Sequence, residues 1–476
     1  MDLLSIYQYP VPSVAALKLQ YTGKNIQDVD PPAAIIDRAV VRENCNAMLQ
    51  ASTRLSIGFR AHVKTHKTTE LARLQVGEDV PAHFIVSTIM EAEQLLPYLL
   101  ECQAQGRSTS VLYGMPLPPS KMKRLIQLAR KLKPLTVHVL LDHPETYDQL
   151  SKVFNGGPEG PYIGAFIKID TGYHRSGLHP KSKLLHQLIE CIRAGEIRYL
   201  FLTGFYSHLG NSYGGNSGTD ALMGLMTEIR ELKAVADVVN QTGVRDRFTL
   251  SVGATPTATA TQNMFDSFDA SNMAAKEAVS LIAAVGKEYD LELHAGVYPL
   301  LDLQQLATHA RPAEIPKSLR PTNNSVNSLA PLSTANIGLR ILVEVASIYN
   351  ERDKPEALIA AGSLALGREP CKSYPGWGVV TPWQGSAQSA QEAVFTTYDE
   401  VGKAGWIVGR ISQEHGILVW EGENFGMREL HVGEKLLLWP NHACIAGAGF
   451  GWYLVVDSDS VNADEIVDVW VRWRGW

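Results

Sequence analysis

The stretch IGFRAHVKTHKTTELARLQVG, residues 57–77, decides the fold. Its first eight residues, 57–64, read as a short strand, and no glycine follows Lys64 until Gly77. A sheet built to hold a dinucleotide carries Gly-x-Gly-x-x-Gly directly after its first strand. That motif is missing, which argues against an open doubly wound sheet. Seven further strand-like runs follow at 83–88, 109–113, 136–141, 163–170, 201–207, 248–252 and 290–295. The gaps usually hold one helix. In 221–239, Leu222, Met226, Ile229 and Leu232 recur at spacings of three and four, which makes one apolar helical face. Residues 121–132 repeat the pattern with Met122, Leu125, Ile126 and Leu132. Eight such units in about 250 residues predict a (β/α)8 barrel.

The barrel is expected over 30–310. Residues 310–335 carry four prolines among Ser and Asn, so 311–335 reads as a linker or long loop. Beyond it, runs such as ILVEVASIY, GWIVGRIS, GILVW and EKLLLWP alternate with Gly, Pro and charged breaks. They predict a mostly-β second domain over 336–476, with residues 1–29 packing on it. No repeat of 20–50 residues is visible.

Composition narrows the function. Of the 476 residues, 45% are hydrophobic and 19% charged, which is a globular balance and excludes bulk disorder. The net charge of -6 leaves no basic field for nucleic acid or an anionic membrane surface. No run of about 18 apolar residues is present, so no membrane span is expected. The first 20 residues lack a basic run before an apolar core, so no secretory leader is expected. Five cysteines, widely separated and odd in number, do not form a disulfide framework. They fit a reducing compartment, the cytoplasm.

Barrel active sites gather where the strands end at their C-terminal side. Along the first strand, Arg60, His62, Lys64 and His66 alternate onto one face. Facing inward, they would crowd ionisable groups into the core, at a cost unless partnered or bound to a ligand. A Schiff-base lysine is one reading, and a solvated basic edge strand is the other. The fifth strand leads to Arg175, within reach of an anion or phenolate, or simply a surface residue. The sixth enters a glycine- and hydroxyl-rich loop from Tyr206 to Tyr213, either a phosphate site or a plain flexible loop. The seventh runs into Ser251-Val-Gly-Ala-Thr255, where small residues let backbone N–H groups approach an anion. The eighth ends near Gly296 and Tyr298, the latter a hydroxyl donor or a packing aromatic at the rim. In the second domain, His442 and Cys444 lie two apart, facing the same way in extended chain. Imidazole and thiolate at that spacing suit Zn²⁺, although a lone His-x-Cys is common by chance. Two protein ligands would leave the shell open for water or a substrate hydroxyl. Glu414 and His415 form another acid–imidazole pair, a third contributor or a polar turn.

Taken in order, RAHVKTHK (60–67), DTGYHRSG (170–177), YSHLGNSY (206–213), SVGATPT (251–257), HAGVY (294–298), EHG (414–416) and NHAC (441–444) form a specific set. The chain resembles the eukaryotic-type D-serine dehydratases, which group with D-threonine aldolases and, more distantly, alanine racemase. These are fold-type III pyridoxal-phosphate enzymes with a barrel and a C-terminal β domain. The resemblance implies that Lys64 carries the cofactor, with Lys67 the alternative lysine. It places Arg175 near the cofactor ring, Tyr206 and Tyr213 in the lining loop, and Thr255, Gly296 and Tyr298 around the phosphate. It makes His442 and Cys444 the zinc ligands. The aldolase branch carries an aspartate where this chain has Cys444, which favours the dehydratase. The family pattern has proline where this chain has Ala61, and reads H-P-G-N-Y where this chain has Ala295 and Val297. The implied activity is loss of water from D-serine, giving pyruvate and ammonia, in a homodimer with a small-molecule substrate. A metal-dependent D-threonine or D-3-hydroxy-amino-acid aldolase is the near alternative. A non-catalytic pyridoxal-phosphate-binding protein is the distant one, and such proteins resemble a lone barrel.

Overall fold

The computed structural model describes residues 12–154, 160–195, 197–241, 246–265, 273–311, 332–381, 405–422 and 427–476. Most of the expected linker, 312–331, lies outside these residues. Eight strands close into a parallel barrel in chain order: β2 (Gly58–His62), β3 (Ala82–Val86), β4 (Thr109–Pro116), β5 (Val137–Leu141), β6 (Ile163–Lys168), β7 (Leu200–Tyr206), β8 (Thr249–Val252) and β9 (Asp290–Ala295). Each matches a strand expected from the sequence to within a few residues. The strand before them, β1 (Ala33–Asp37), belongs elsewhere.

The second sheet has nine strands. It adds β10 (Leu339–Tyr349), β11 (Glu356–Ile359), β12 (Gly378–Thr381), β13 (Gly405–Ile411), β14 (Gly416–Glu421), β15 (Lys435–Pro440), β16 (Trp452–Val456) and β17 (Asp468–Val471). Their order is β11-β14-β13-β12-β15-β10-β1-β16-β17. Thus β1, inside the range expected for the barrel, lies between β10 and β16 in this sheet. Asp37 then turns the chain toward the barrel. Its carboxylate accepts from the N–H groups of Ala39 and Val40 and caps the helix Arg38–Leu55. The early segment packs on the same sheet: Leu17, Ile26 and Val29 share a small core with Ile35, Leu454 and Val469. No helix among the described residues is long and apolar enough to cross a membrane.

The barrel interior is part apolar and part ionic. Ile85, Leu112, Leu140, Phe166 and Tyr206 form one inward cluster. Beside it, the Arg60 guanidinium meets the Glu292 carboxylate at 2.6 and 3.0 Å and donates to Ser110 Oγ at 2.7 Å. Burial alone would raise the Glu292 pKa, but the adjacent guanidinium outweighs it and holds the carboxyl well below its ordinary range. Breaking such a pair strands one charge in the core. Arg60→Met is therefore expected to destabilise the fold by about 3–5 kcal/mol in urea unfolding. Adding Glu292→Leu should recover much of the loss, because no unpaired charge then remains.

Candidate active site

The strand β2 stops at His62, and the chain then turns through 63–67. This ends the alternation. Arg60 is buried and paired within the barrel, which removes the solvated-edge reading for it. His66 is instead buried away from the mouth, against Gln75 Oε1 at 3.0 Å and Thr68 Oγ1 at 3.2 Å. Burial lowers its pKa to about 3, so it is neutral. Lys67 pairs with Glu91 at 3.0 Å, and its ammonium lies 5.7 Å from the Trp476 ring centre. The Lys64 ammonium has neither hydrogen bond nor ion pair among the described residues. Its stem passes Gly296, where a Cβ would stand 3.7 Å from Lys64 Cε and 3.3 Å from His62 Cβ. A side chain there would press on His62 and stand in ordinary contact with the lysine stem.

From the β domain, the short helix Ala443–Ala446 follows β15, with His442 as its preceding residue. His442 and Cys444 therefore meet across a helix start rather than along an extended strand. Four hydrogen bonds fix this turn. Asn441 donates to the carbonyls of Glu369 and Gly376, Tyr374 donates to Asn441 Oδ1, and Asp302 Oδ2 accepts from Ala443 N at 2.8 Å. Burial would lower the His442 pKa, but the hydrogen bond and charge of Cys444 raise it to about 9. Burial would raise that of Cys444, but His442 and then Lys64 bring it below the ordinary thiol value. The two side chains are thus hydrogen-bonded to each other, with a proton between imidazole and sulfur. A divalent metal that favours nitrogen and sulfur would take that proton's place, so the donor set fits zinc. Among the described residues no group of three or more His, Cys, Asp or Glu could hold a metal ion. Glu414 and His415 stand exposed in the turn between β13 and β14, whose backbone pairs with Ser363 and Leu364.

The two walls touch. Thr65 Oγ1, on the residue after Lys64, lies 3.0 Å from Cys444 Sγ. Tyr213 joins the same cluster: its hydroxyl bonds to Thr255, and its acidity is weakened by burial, then by the Cys444 charge. Thr255 Oγ1 in turn accepts from the N–H groups of Gly296 at 3.4 Å and Val297 at 3.2 Å. Gly253 precedes it with φ +139°, and a Cβ there would lie 2.4 Å from the His294 carbonyl, so only glycine fits.

Tyr206, from β7, stacks on His294, from the β9 strand that neighbours β2, with centroids 4.3 Å apart and planes 8° from parallel. Arg175 is exposed, with its guanidinium 5.2 Å from the Tyr173 ring centre. Its charge reaches Tyr206, His208 and Lys168. Tyr298 is not brought to this cluster. It packs edge-on to Phe59 beside Cys45 and Gln75, between the barrel wall and its helices. This is the packing-aromatic alternative. The departures Ala61 and Ala295 are register partners on β2 and β9, and both are buried with Val297 in the main core.

Three residues of this mouth escaped the sequence reading. Ser251 Oγ donates to Glu292 Oε1 at 2.9 Å, so it accepts from His294 Nδ1 at 3.1 Å. Burial lowers the His294 pKa to about 3, which leaves Nε2 a bare acceptor, buried and with no partner among the described residues. That orphan atom, the glycine-lined cradle and the unpaired Lys64 together fit a polar, carbonyl-bearing cofactor. Lys168 ends β6 with its ammonium 5.3 Å from the Tyr206 ring centre, and burial lowers its pKa to about 8. Glu228, on the helix Gly218–Gln241, accepts from Ser207 Oγ at 2.6 Å, and burial raises its pKa to about 7.

Glu228 carries a stability prediction. Below its unfolded pKa near 4.5 it is protonated in both states and costs nothing. From there to about 7 the unfolded chain ionises while the folded carboxyl keeps its proton, so stability falls as pH rises. Glu228→Gln should remove this drop, gaining about 2–3 kcal/mol at pH 8 and nothing at pH 4, read by denaturant unfolding at both.

Two family models match. Residues 36–271 match the alanine racemase N-terminal domain, and residues 338–456 match the putative serine dehydratase domain. The D-serine dehydratase of Schizosaccharomyces pombe is 33% identical over 465 residues, covering 97% of this chain and 95% of the relative. That of Saccharomyces cerevisiae is 30% identical over 474 residues, covering 96% and 99%. Among solved structures, D-threo-3-hydroxyaspartate dehydratase from Delftia sp. HT23 superposes with a TM-score of 0.69 at 24% identity, over 95% of this chain and all of the other. The structural likeness shows the alanine racemase-like fold, and the full-length identity to the two yeast proteins shows that the chain belongs to the D-serine dehydratase family.

Proposed function

We propose that this chain removes water from D-serine to give pyruvate and ammonia, using pyridoxal phosphate at Lys64 and zinc at His442 and Cys444. The observation that carries the reading is the 3.0 Å contact between Thr65 Oγ1 and Cys444 Sγ. It sets the residue beside Lys64, unpaired among the described residues, against the candidate metal pair. When bound, the cofactor supplies an electron sink for the charge left at Cα and the metal supplies a Lewis acid for the departing hydroxyl.

The chain's own groups divide the remaining work. Lys64 would hold the cofactor by its carbonyl, and its amine, when free, would take the α-proton. Gly296 sets no side chain against its stem. Thr255, Gly296 and the obligatory Gly253 form the anion-binding side, with Tyr213 closing it. Burial keeps His294 neutral, the Glu292–Ser251 chain engages its Nδ1, and Nε2 would be the acceptor offered to the cofactor. Tyr206 stacks on the His294 ring, with the charge of Arg175 in reach. The His442–Cys444 turn would hold the cation, with the Thr65 hydroxyl in hydrogen-bond contact with the sulfur. The same family reading implies a homodimer acting in a reducing compartment, which light scattering on the purified protein checks for assembly.

A product assay tests the reaction. Purified protein given D-serine and D-threonine should form keto acids. Release of glycine from D-threonine without pyruvate from D-serine would instead establish the aldolase. A cofactor-binding protein without either product is disfavoured by the serine dehydratase domain match over 338–456.

A further inference from the structure

This inference rests on the proposed pairing of Lys64 with the metal turn, and adds a residue to it. Arg472 directly follows β17 and is 6% exposed. Its guanidinium serves three separate segments. Nε donates to Tyr453 Oη at 2.9 Å, Nη1 to the Ala448 carbonyl at 3.4 Å and Nη2 to the Thr65 carbonyl at 3.2 Å.

The positions of those acceptors matter. Thr65 follows Lys64, and its hydroxyl is the group touching Cys444. Ala448 lies four residues past Cys444, in the turn that continues the metal-bearing helix. Tyr453 packs on that turn from β16, with its hydroxyl 2.6 Å from where a Cβ on Gly447 would stand. The next residue acts on the same loop, since Trp473 N donates to the Lys67 carbonyl at 2.7 Å. One planar cation therefore grips the lysine loop of the barrel and the metal turn of the β domain together.

We propose that Arg472 is a positioning residue that fixes the separation between Lys64 and the His442–Cys444 pair. A guanidinium suits the task because its donors are set in a rigid fork. A lysine could satisfy one of the three acceptors at a time. Thr65 is fully buried, so its carbonyl gains no replacement from solvent when the fork is lost.

The test uses the full chain loaded with pyridoxal phosphate. R472Q and R472K are compared with V469A, which creates a cavity in the adjoining strand without touching either loop. Zinc affinity is read by competition with a coloured chelator, and kcat and KM are read for D-serine. R472Q should weaken zinc binding about 10- to 100-fold, the range for residues that orient metal ligands. It should lower kcat more than it raises KM, and added guanidinium ion should restore part of kcat. R472K should fall between R472Q and the parent, and keeps the test open if R472Q does not fold. V469A should lose thermal stability with zinc affinity and kcat unchanged. Parent-like zinc affinity and kcat in R472Q overturn the proposal, as does an equal loss in V469A. A parent protein that takes up no zinc overturns the metal reading itself and this proposal with it. A parent that binds zinc, alongside an R472Q that binds it equally, overturns the role of Arg472 alone.

Discussion

Lys64→Ala is expected to abolish the visible absorbance of cofactor-loaded protein and to stop pyruvate formation from D-serine. Loss of the proton-transferring base alone is worth about 10²–10⁴-fold in kcat. Loss of the covalent anchor adds to it. The competing lysines make the prediction specific. Lys67 is held by Glu91, and Lys168 sits across the mouth beside Tyr206. Neither can replace an amine whose stem runs past Gly296. Lys67→Ala should therefore keep the absorbance band. A surviving band in Lys64→Ala, lost instead in Lys168→Ala, would move the cofactor to the other side of the barrel. Spectra of the three purified variants decide this without an activity assay.

Cys444→Asp has the second large effect. The His442–Cys444 hydrogen bond holds a proton that a metal would displace; His442 and then the charge of Lys64 lower the thiol pKa, and Thr65 Oγ1 lies 3.0 Å from the sulfur. A carboxylate is harder and has no matching hydrogen bond from that hydroxyl at sulfur distance. Zinc affinity should fall at least about tenfold. Elimination should fall with it, since the Lewis acid supplies several kcal/mol of charge stabilisation, roughly a hundredfold or more in rate. Cleavage of D-threonine to glycine should become measurable. Unchanged zinc content and unchanged products would remove Cys444 from the metal site.

The eight barrel strands were legible because each is a short apolar run followed by a helix, and local periodicity carries that information. What depended on distant pairing was not. Five residues at Ala33–Asp37 show no period, and their partners β10 and β16 lie more than 300 residues downstream. Alternation was right for Arg60 and failed for His66, because the strand ends at His62. His442 and Cys444 do face each other, but through a helix start that the spacing alone does not reveal. Tyr298 comes two residues after Gly296, past a strand end, where rim packing and ligand contact look alike in sequence. The missed residues did leave signals. Glu228 stands among Leu225, Ile229 and Leu232 on the buried helix face, where a carboxylate is out of place. Lys168 is two residues beyond the inward Phe166, so alternation points it into the barrel. His294 could be recognised only with its hydrogen-bond chain in view.

In the proposed reaction a cofactor held at Lys64 works against a cation held at His442 and Cys444. The most direct measurement strips metal from the cofactor-loaded protein with a chelator, then follows keto acid formation from D-serine before and after zinc is returned. The account predicts retained cofactor absorbance, no pyruvate without metal, recovery with zinc, and no recovery in His442→Ala. Full turnover in the metal-free protein, or equal recovery in His442→Ala, would contradict it.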